Sequence, residues 1–363
     1  MTPSPAPRPL PTLPDRLTLP TLPTLPQGLT QPGRRRFAGA LALGAAWLAI
    51  GGGVGLRSTA AHAASATGHE APAGTFEILD VDWLDERRDR LVPVRLYLPR
   101  RDRPVPLVVF SHGLGGTRAG YAHLGRHWAA QGVATIHPQH AGSDRAVWSA
   151  GGLGVLGSLR SAATPEQAFA RAHDVRFVID QAFAPGALAE RLDSARIAVA
   201  GHSFGANTAL LACGARYRNP DGRVIECRDD RVRAAVVLSA PSLPADQDPG
   251  FAYRAVAVPS LHLTGTHDNT PIPGLSTQPA ERRVAFDRVP GGPRFLGVFE
   301  GGRHSMFNDW SRDEAIKAGA RTLTAAFWRL VFEGDPGAGR LLREPAREWP
   351  ALGPVLAAWE TQA

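Results

Sequence analysis

The stretch Ala198-Val199-Ala200-Gly201-His202-Ser203-Phe204-Gly205-Ala206-Asn207 constrains this chain more than any other. A run of small apolar residues, read as a buried strand, ends abruptly in Gly201-His202-Ser203-Phe204-Gly205, and a helix-like run from Thr208 to Gly214 follows. Strand, sharp turn and helix in that order is the context of a G-x-S-x-G nucleophile elbow, in which the turn forces the serine into a strained backbone conformation. Glycine at both ends has a steric reason, because a Cβ there would collide with the neighbouring strand or helix. In a chain with 39 glycines the pattern alone is a weak signal. The order of elements around it carries the inference.

The chain from residue 75 onward alternates strands and helices as an elbow of this kind requires. Thr75 to Pro99 reads as two antiparallel strands with a charged turn over Asp85 to Arg90. Pro106-Leu107-Val108-Val109-Phe110 is a continuous apolar run, the kind buried on both faces of a parallel sheet, and it ends in Ser111-His112-Gly113-Leu114-Gly115-Gly116. A helix over Tyr121 to Gln131, stopped by Gly132, precedes a strand from Val133 to Ile136. His137-Pro138-Gln139-His140-Ala141-Gly142-Ser143-Asp144 then opens a long loop to Thr164, and loops of that length are usually functional or mobile. Pro165 to Phe183 predicts a helix capped by Thr164, and Arg196 to Ala200 predicts the strand that enters the elbow. Arg233 to Ser239 and Val258 to Thr264 read as buried strands, and Val284 to Val289 with Phe295 to Glu300 as a late strand pair. Asp313 to Phe332 reads as a closing helix, followed by an amphipathic stretch from Gly339 to Trp359. The expected fold class is α/β: one domain over residues 75–363, with a mostly parallel central sheet, an antiparallel N-terminal strand pair and helices on both faces.

Composition narrows the partners. The 363 residues are 44% hydrophobic, enough for a substantial core. The net charge of +7 is concentrated at one end: residues 1–63 hold six arginines against Asp15, which leaves +2 on the rest. No basic stripe with interleaved aromatics occurs, so nucleic acid is not an expected partner. Residues 1–33 repeat Thr-Leu-Pro, which denies both helix and sheet hydrogen bonding and predicts a disordered leader. Arg34-Arg35-Arg36-Phe37, a weakly apolar stretch to Leu56 and Ala61-His62-Ala63 have the form of a twin-arginine-like export signal over 34–63, cut after Ala63. An N-terminal membrane anchor is the alternative, although the glycines make the stretch poorly hydrophobic. Residues 64–74 read as a linker. The expected product is an exported monomer with no stable membrane insertion after signal removal.

An elbow serine needs a base and an acid, which follow it in chain order as Asp or Glu, then His. His304 lies in the glycine-rich Gly301-Gly302-Arg303-His304-Ser305 after a predicted strand, and it is the histidine that follows the candidate acid. Asp268 stands in the loop after the buried run Ser260 to Thr264, at the carboxyl end of a strand, where sites in α/β sheets gather. Asp229, Asp230, Asp246 and Asp248 sit in polar loops, and Asp287 and Glu300 on predicted strands. Ser203, Asp268 and His304 are therefore the expected catalytic residues. The backbone N–H groups of Phe204 and Leu114 are the expected oxyanion donors.

These motifs together resemble the α/β-hydrolase superfamily, in particular its secreted dienelactone-hydrolase-like and platelet-activating-factor-acetylhydrolase-like branch. The residues that carry the resemblance are Ser111 to Gly116, His140-Ala141-Gly142-Ser143-Asp144, Gly201 to Ala206, Gly265-Thr266-His267-Asp268 and Gly302-Arg303-His304-Ser305. The resemblance implies a cofactor-free serine hydrolase acting on carboxylic esters, with lipids or polyesters as candidate substrates. Polyester-degrading relatives usually carry methionine after the serine and glycine two residues further on, where this chain has Phe204 and Ala206. Dienelactone hydrolases proper use cysteine, so their lactone substrate does not transfer to Ser203.

Other features bear on the site. His112, His140, Trp148 and His202 are candidate substrate-pocket residues. Cys213 and Cys227 are the only cysteines and, in an exported chain, are expected to form a disulfide. His137, His140, His262 and His267 are the candidates for a metal site, but His137 and His140 lie in a proline loop without ligand-like cysteines, so no metal is expected. The functions consistent with the motifs are ester hydrolysis, acyl transfer to an alcohol on the same fold, and non-catalytic binding.

Overall fold

A computed structural model describes residues 75–151, 154–219, 221–270 and 277–362. The expected leader, export signal and linker lie outside the described residues. Strands β1 (Phe76–Asp85) and β2 (Arg90–Pro99) pair antiparallel across the charged turn, as expected. β3 (Val105–Ser111) is buried at every position. Helix α1 (Ala122–Ala130) leads to β4 (Ala134–Pro138), which is also buried throughout. The predicted loop to Thr164 instead contains a 3-10 turn (Arg145–Ala150) and helix α2 (Gly154–Ala162), whose Leu159 packs with Val147 and Leu114. Helix α3 (Pro165–Ala182) starts as expected, with the Thr164 side chain accepting from the Gln167 N–H and Pro165 in the first turn.

β5 (Leu192–His202) runs into the elbow and helix α4 (Phe204–Ala212) leaves it. A small hairpin, β6 (Arg216–Arg218) and β7 (Val224–Glu226), precedes β8 (Val232–Leu238). Helix α5 (Pro249–Tyr253), β9 (Ser260–His267), helix α6 (Val284–Arg288) and β10 (Arg294–Arg303) follow. The chain closes with α7 (Glu314–Glu333), α8 (Pro336–Arg343), α9 (Pro345–Glu348) and β11 (Leu356–Gln362).

The expected strand pair of 284–289 with 295–300 is replaced by a helix followed by a strand. Turn Pro279–Arg283 carries a capping box that launches α6, and Ala285, Phe286 and Val289 are buried from it. β10 pairs parallel with β9 and antiparallel with β11, which the amphipathic reading of 339–359 missed.

The nine-stranded sheet has the order β1-β2-β4-β3-β5-β8-β9-β10-β11. β4, β3, β5, β8, β9 and β10 are mutually parallel; β1–β2, β2–β4 and β10–β11 are antiparallel. Successive residues of the buried strands serve opposite faces. Leu107, Val109, Ile197 and Val199 join one core with α3 and α4, while Val108, Phe110, Ala198 and Ala200 join another with α1 and α7. The parallel strands bring the carboxyl ends of β3, β5, β9 and β10 to one edge.

The expected disulfide is not formed: Cys213 and Cys227 are free and buried in the core on the α3 and α4 face. The excursion that it would close is held by the β6–β7 pairing, by the Arg216–Glu226 ion pair at 2.9 Å and by the Asp229 N–H on the Ala212 carbonyl at 2.9 Å. Burial pushes the Cys213 thiol up to about 12 and raises that of Cys227, so both behave as small apolar groups. The denatured, unreduced chain should therefore titrate two thiols with a thiol reagent and gain no mass on reduction and alkylation beyond that of the unreduced, alkylated sample; absence of free thiols would contradict this packing.

Candidate active site

The elbow is built from backbone contact. Ser203 has φ 55 and ψ −120, and its N–H donates to the Leu238 carbonyl at 2.9 Å. A left-handed φ at a non-glycine residue costs about 1–3 kcal/mol and persists only where the surroundings impose it. They do so here because a Cβ on Gly201 would overlap the Gly205 carbonyl, and one on Gly205 would overlap the Ser111 carbonyl. β5, α4 and the end of β3 thus meet main chain to main chain, with Ser203 raised at the junction.

The Ser203 hydroxyl lies 2.9 Å from His304 Nε2, and His304 Nδ1 lies 2.7 Å from Asp268 Oδ1. The residues come from the ends of β5, β10 and β9. Asp268 is wholly buried, and its Oδ2 accepts from Thr264 Oγ1 at 2.8 Å. Burial alone would raise its carboxyl, but the His304 hydrogen bond and the charges of His304 and Arg282 outweigh this and hold it at about 2. An ionised Oδ1 at that distance fixes the proton on Nδ1, which leaves the Nε2 lone pair for the serine hydroxyl proton.

Arg282 is a fully buried neighbour that no sequence motif marked. Its Nε donates to the Asp268 carbonyl at 3.1 Å, and one terminal nitrogen donates to the Ser239 and Ala240 carbonyls at 3.0 and 2.9 Å. The other donates to Thr270 Oγ1 at 2.6 Å and lies 3.3 Å from Asp268 Oδ1 and 3.2 Å from His304 Nδ1.

The turn after β3 is held by a second buried guanidinium. Arg171 donates to the His112 carbonyl, and to Ser143 Oγ and Thr208 Oγ1 at 3.0 Å each, while its guanidinium lies 4.7 Å from the centre of the Phe204 ring. Desolvation lowers it to about 9, still charged at neutral pH. It therefore ties the His112-Gly113-Leu114 turn to the start of α4. The N–H groups of Leu114 and Phe204 donate to no acceptor among the described residues.

Two of the four candidate pocket residues line a cavity of about 1020 Å³ that opens over Ser203 and His304, namely Trp148 and His202. Trp148 is half exposed, and its indole N–H donates to the Gly115 carbonyl at 2.9 Å. His202 accepts from the Tyr121 hydroxyl at Nδ1 (2.7 Å) and donates from Nε2 to the His304 carbonyl (2.9 Å), so it braces the His304 loop. His112 and His140 are buried behind the turn: His112 donates from Nδ1 to the Gly113 carbonyl at 2.7 Å, and His140 bridges Asp174 (2.9 Å) and Ser111 (3.2 Å). Trp310, 72% exposed, also lines the cavity and carried no signal in the sequence. Among the described residues, no group of three or more His, Cys, Asp or Glu side chains is placed to hold a metal ion.

A family model described as the alpha/beta hydrolase family matches residues 108–359. The chain belongs to the alpha/beta hydrolase family. No curated protein matches it. Among the described residues of this α/β-hydrolase, no helix is long and apolar enough to cross a membrane.

The α/β-hydrolase buries His112, His137, His140, His202 and His262. Burial pulls His137 and His140 down to about 4 and His202 and His262 to about 3, and holds His112 well below the ordinary histidine value. Unfolded histidines protonate near pH ~6.5. The stability these groups contribute is thus fully present above that pH and is lost as pH falls toward the folded values. Asp174 and Asp268, both lowered, lose theirs only below the ordinary carboxylate range. Burial lowers His127 to about 4 and His123 as well, so we expect unfolding at pH 5 to take up about six protons, seen as a urea midpoint that drops between pH 7.5 and 5; an unchanged midpoint would contradict the neutral buried histidines.

Proposed function

We propose that this α/β-hydrolase is an exported serine hydrolase that cleaves carboxylic esters of short to medium acyl chains, with lipids and polyesters as candidate substrates. The observation that carries the reading is the unbroken chain from Ser203 Oγ through His304 to buried Asp268, facing a cavity that Leu114 also lines. His304 Nε2 takes the serine proton as Oγ attacks the ester carbonyl carbon. Asp268 holds the ring in the reactive tautomer and stabilises the imidazolium. The Leu114 and Phe204 N–H groups receive the oxyanion, each such donor contributing about 3 kcal/mol to the transition state. The imidazolium protonates the departing alkoxide, and the acyl-enzyme is then cleaved by water activated in the same way.

The Ser111–Gly116 and His140–Asp144 motifs support placement near the dienelactone-hydrolase-like and platelet-activating-factor-acetylhydrolase-like branch. Arg34-Arg35-Arg36-Phe37 with Ala61-His62-Ala63 supports export, and the folded catalytic unit is assigned to residues 75–363.

Initial rates on p-nitrophenyl esters from acetyl to palmitoyl test the reading. We expect Ser203→Ala and His304→Ala each to lower kcat by about 10⁴-fold or more with the fold intact, and Asp268→Asn by about 10⁴-fold through loss of the tautomer. Wild-type turnover in Ser203→Ala would overturn the assignment.

A further inference from the structure

The acid and base of this site share their buried environment with a fixed cation. All five N–H groups of Arg282 face partners from the ends of three strands: the Ser239 and Ala240 carbonyls after β8, the Asp268 carbonyl, Asp268 Oδ1 and Thr270 Oγ1 after β9, and the His304 ring after β10. Because His304 Nδ1 carries a proton directed at Asp268, the guanidinium cannot donate to it. The remaining proton of Arg282 points to Asp268 Oδ1, so one carboxylate oxygen serves both the base and the cation.

The charge balance follows from this sharing. An isolated buried carboxylate would favour a positive imidazole beside it, and a guanidinium at 3.2 Å from the ring opposes that charge. Other titratable groups around His304 are His202, whose ring centre is 4.8 Å away, and His267, Arg303, Asp309 and Tyr121, which line the same cavity. Burial keeps His202 neutral at working pH. Among the described residues, Arg282 is the one fixed cation within hydrogen-bond distance of the His304 ring.

We propose that Arg282 is a positioning residue that acts through Asp268: by sharing its Oδ1 it keeps His304 unprotonated, and so competent as a base, further into the acid range than Asp268 alone would allow. The inference rests on the assignment of Ser203 and His304 made above. Its function is to set the lower pH boundary of the reaction. The same contacts hold the Asp268 and His304 loops against the turn after β8, so a merely structural role is the alternative that the test must separate.

The readout is the rate at which a fluorophosphonate labels Ser203 between pH 4.5 and 9, measured beside p-nitrophenyl acetate hydrolysis in the full chain. In Arg282→Gln and Arg282→Met the acid limb should move upward by about one unit or more, so that reactivity at pH 5, relative to the plateau, falls about tenfold below wild type for each unit moved. Arg282→Lys keeps the charge but cannot span the same acceptors, so its limb should stay in place while kcat falls. A purely structural role would lower the rate equally at every pH, and that result overturns the proposal. If neither neutral variant folds, citrulline at position 282, which keeps the shape of the side chain and removes its charge, decides: a limb displaced upward supports the proposal, and one left in place overturns it. Labelling without ester hydrolysis would overturn only the ester reading, whereas failure of the wild type to label would overturn both.

Discussion

The contact between the main chains of β3, β5 and α4 is the constraint on which the rest of this site depends. Gly201 and Gly205 let the strand and helix approach so closely that no side chain fits between them, and Ser203 adopts a positive φ as a result. The same approach seats the start of α4 against the Ser111 and His112 carbonyls, at the end of β3. One steric fact thus presents the hydroxyl and joins the start of α4 to the end of β3.

Two buried arginines hold what this contact leaves loose. Arg171 ties the His112 turn to Thr208 and stacks on Phe204, while Arg282 ties the loops after β8, β9 and β10 to one another. Each places a charge where water does not reach, which is tolerable only because its donors meet carbonyls, hydroxyls or a carboxylate. Behind the turn, Asp174 is matched by Arg88 and Arg90 at 2.9 and 2.7 Å and by neutral His140, so that Ser111, His140 and Asp174 form a sealed relative of the open array. Burial makes one array structural; the cavity makes the other chemically available.

Much of this was legible in the sequence where local chemistry dictates local structure. The elbow, the fully apolar strands, the capped α3 and the position of Asp268 after a buried strand each follow from residue type and spacing. Parallel strands then oblige the ends of β5, β9 and β10 to share an edge, which is why Ser203, Asp268 and His304 meet. What was not legible depends on tertiary partners. Val284 to Val289 carries apolar residues that suit either a strand or a helix turn, and the capping box at Gln278 to Glu281 decided for the helix. β11 forms because β10 offers an edge, and Cys213 and Cys227 are free and buried on either side of a small hairpin. Arg171 and Arg282 carry no signal in the sequence, since nothing in their neighbourhoods reveals that distant carbonyls will surround them.

The most direct test of the account is mass analysis of Ser203 during turnover. With p-nitrophenyl acetate as substrate and an acid quench, a fraction of the enzyme should carry one acetyl group on the peptide containing Ser203, and Ser203→Ala should carry none. Turnover with no acyl group on that peptide, or with the acyl group on another residue, would contradict it.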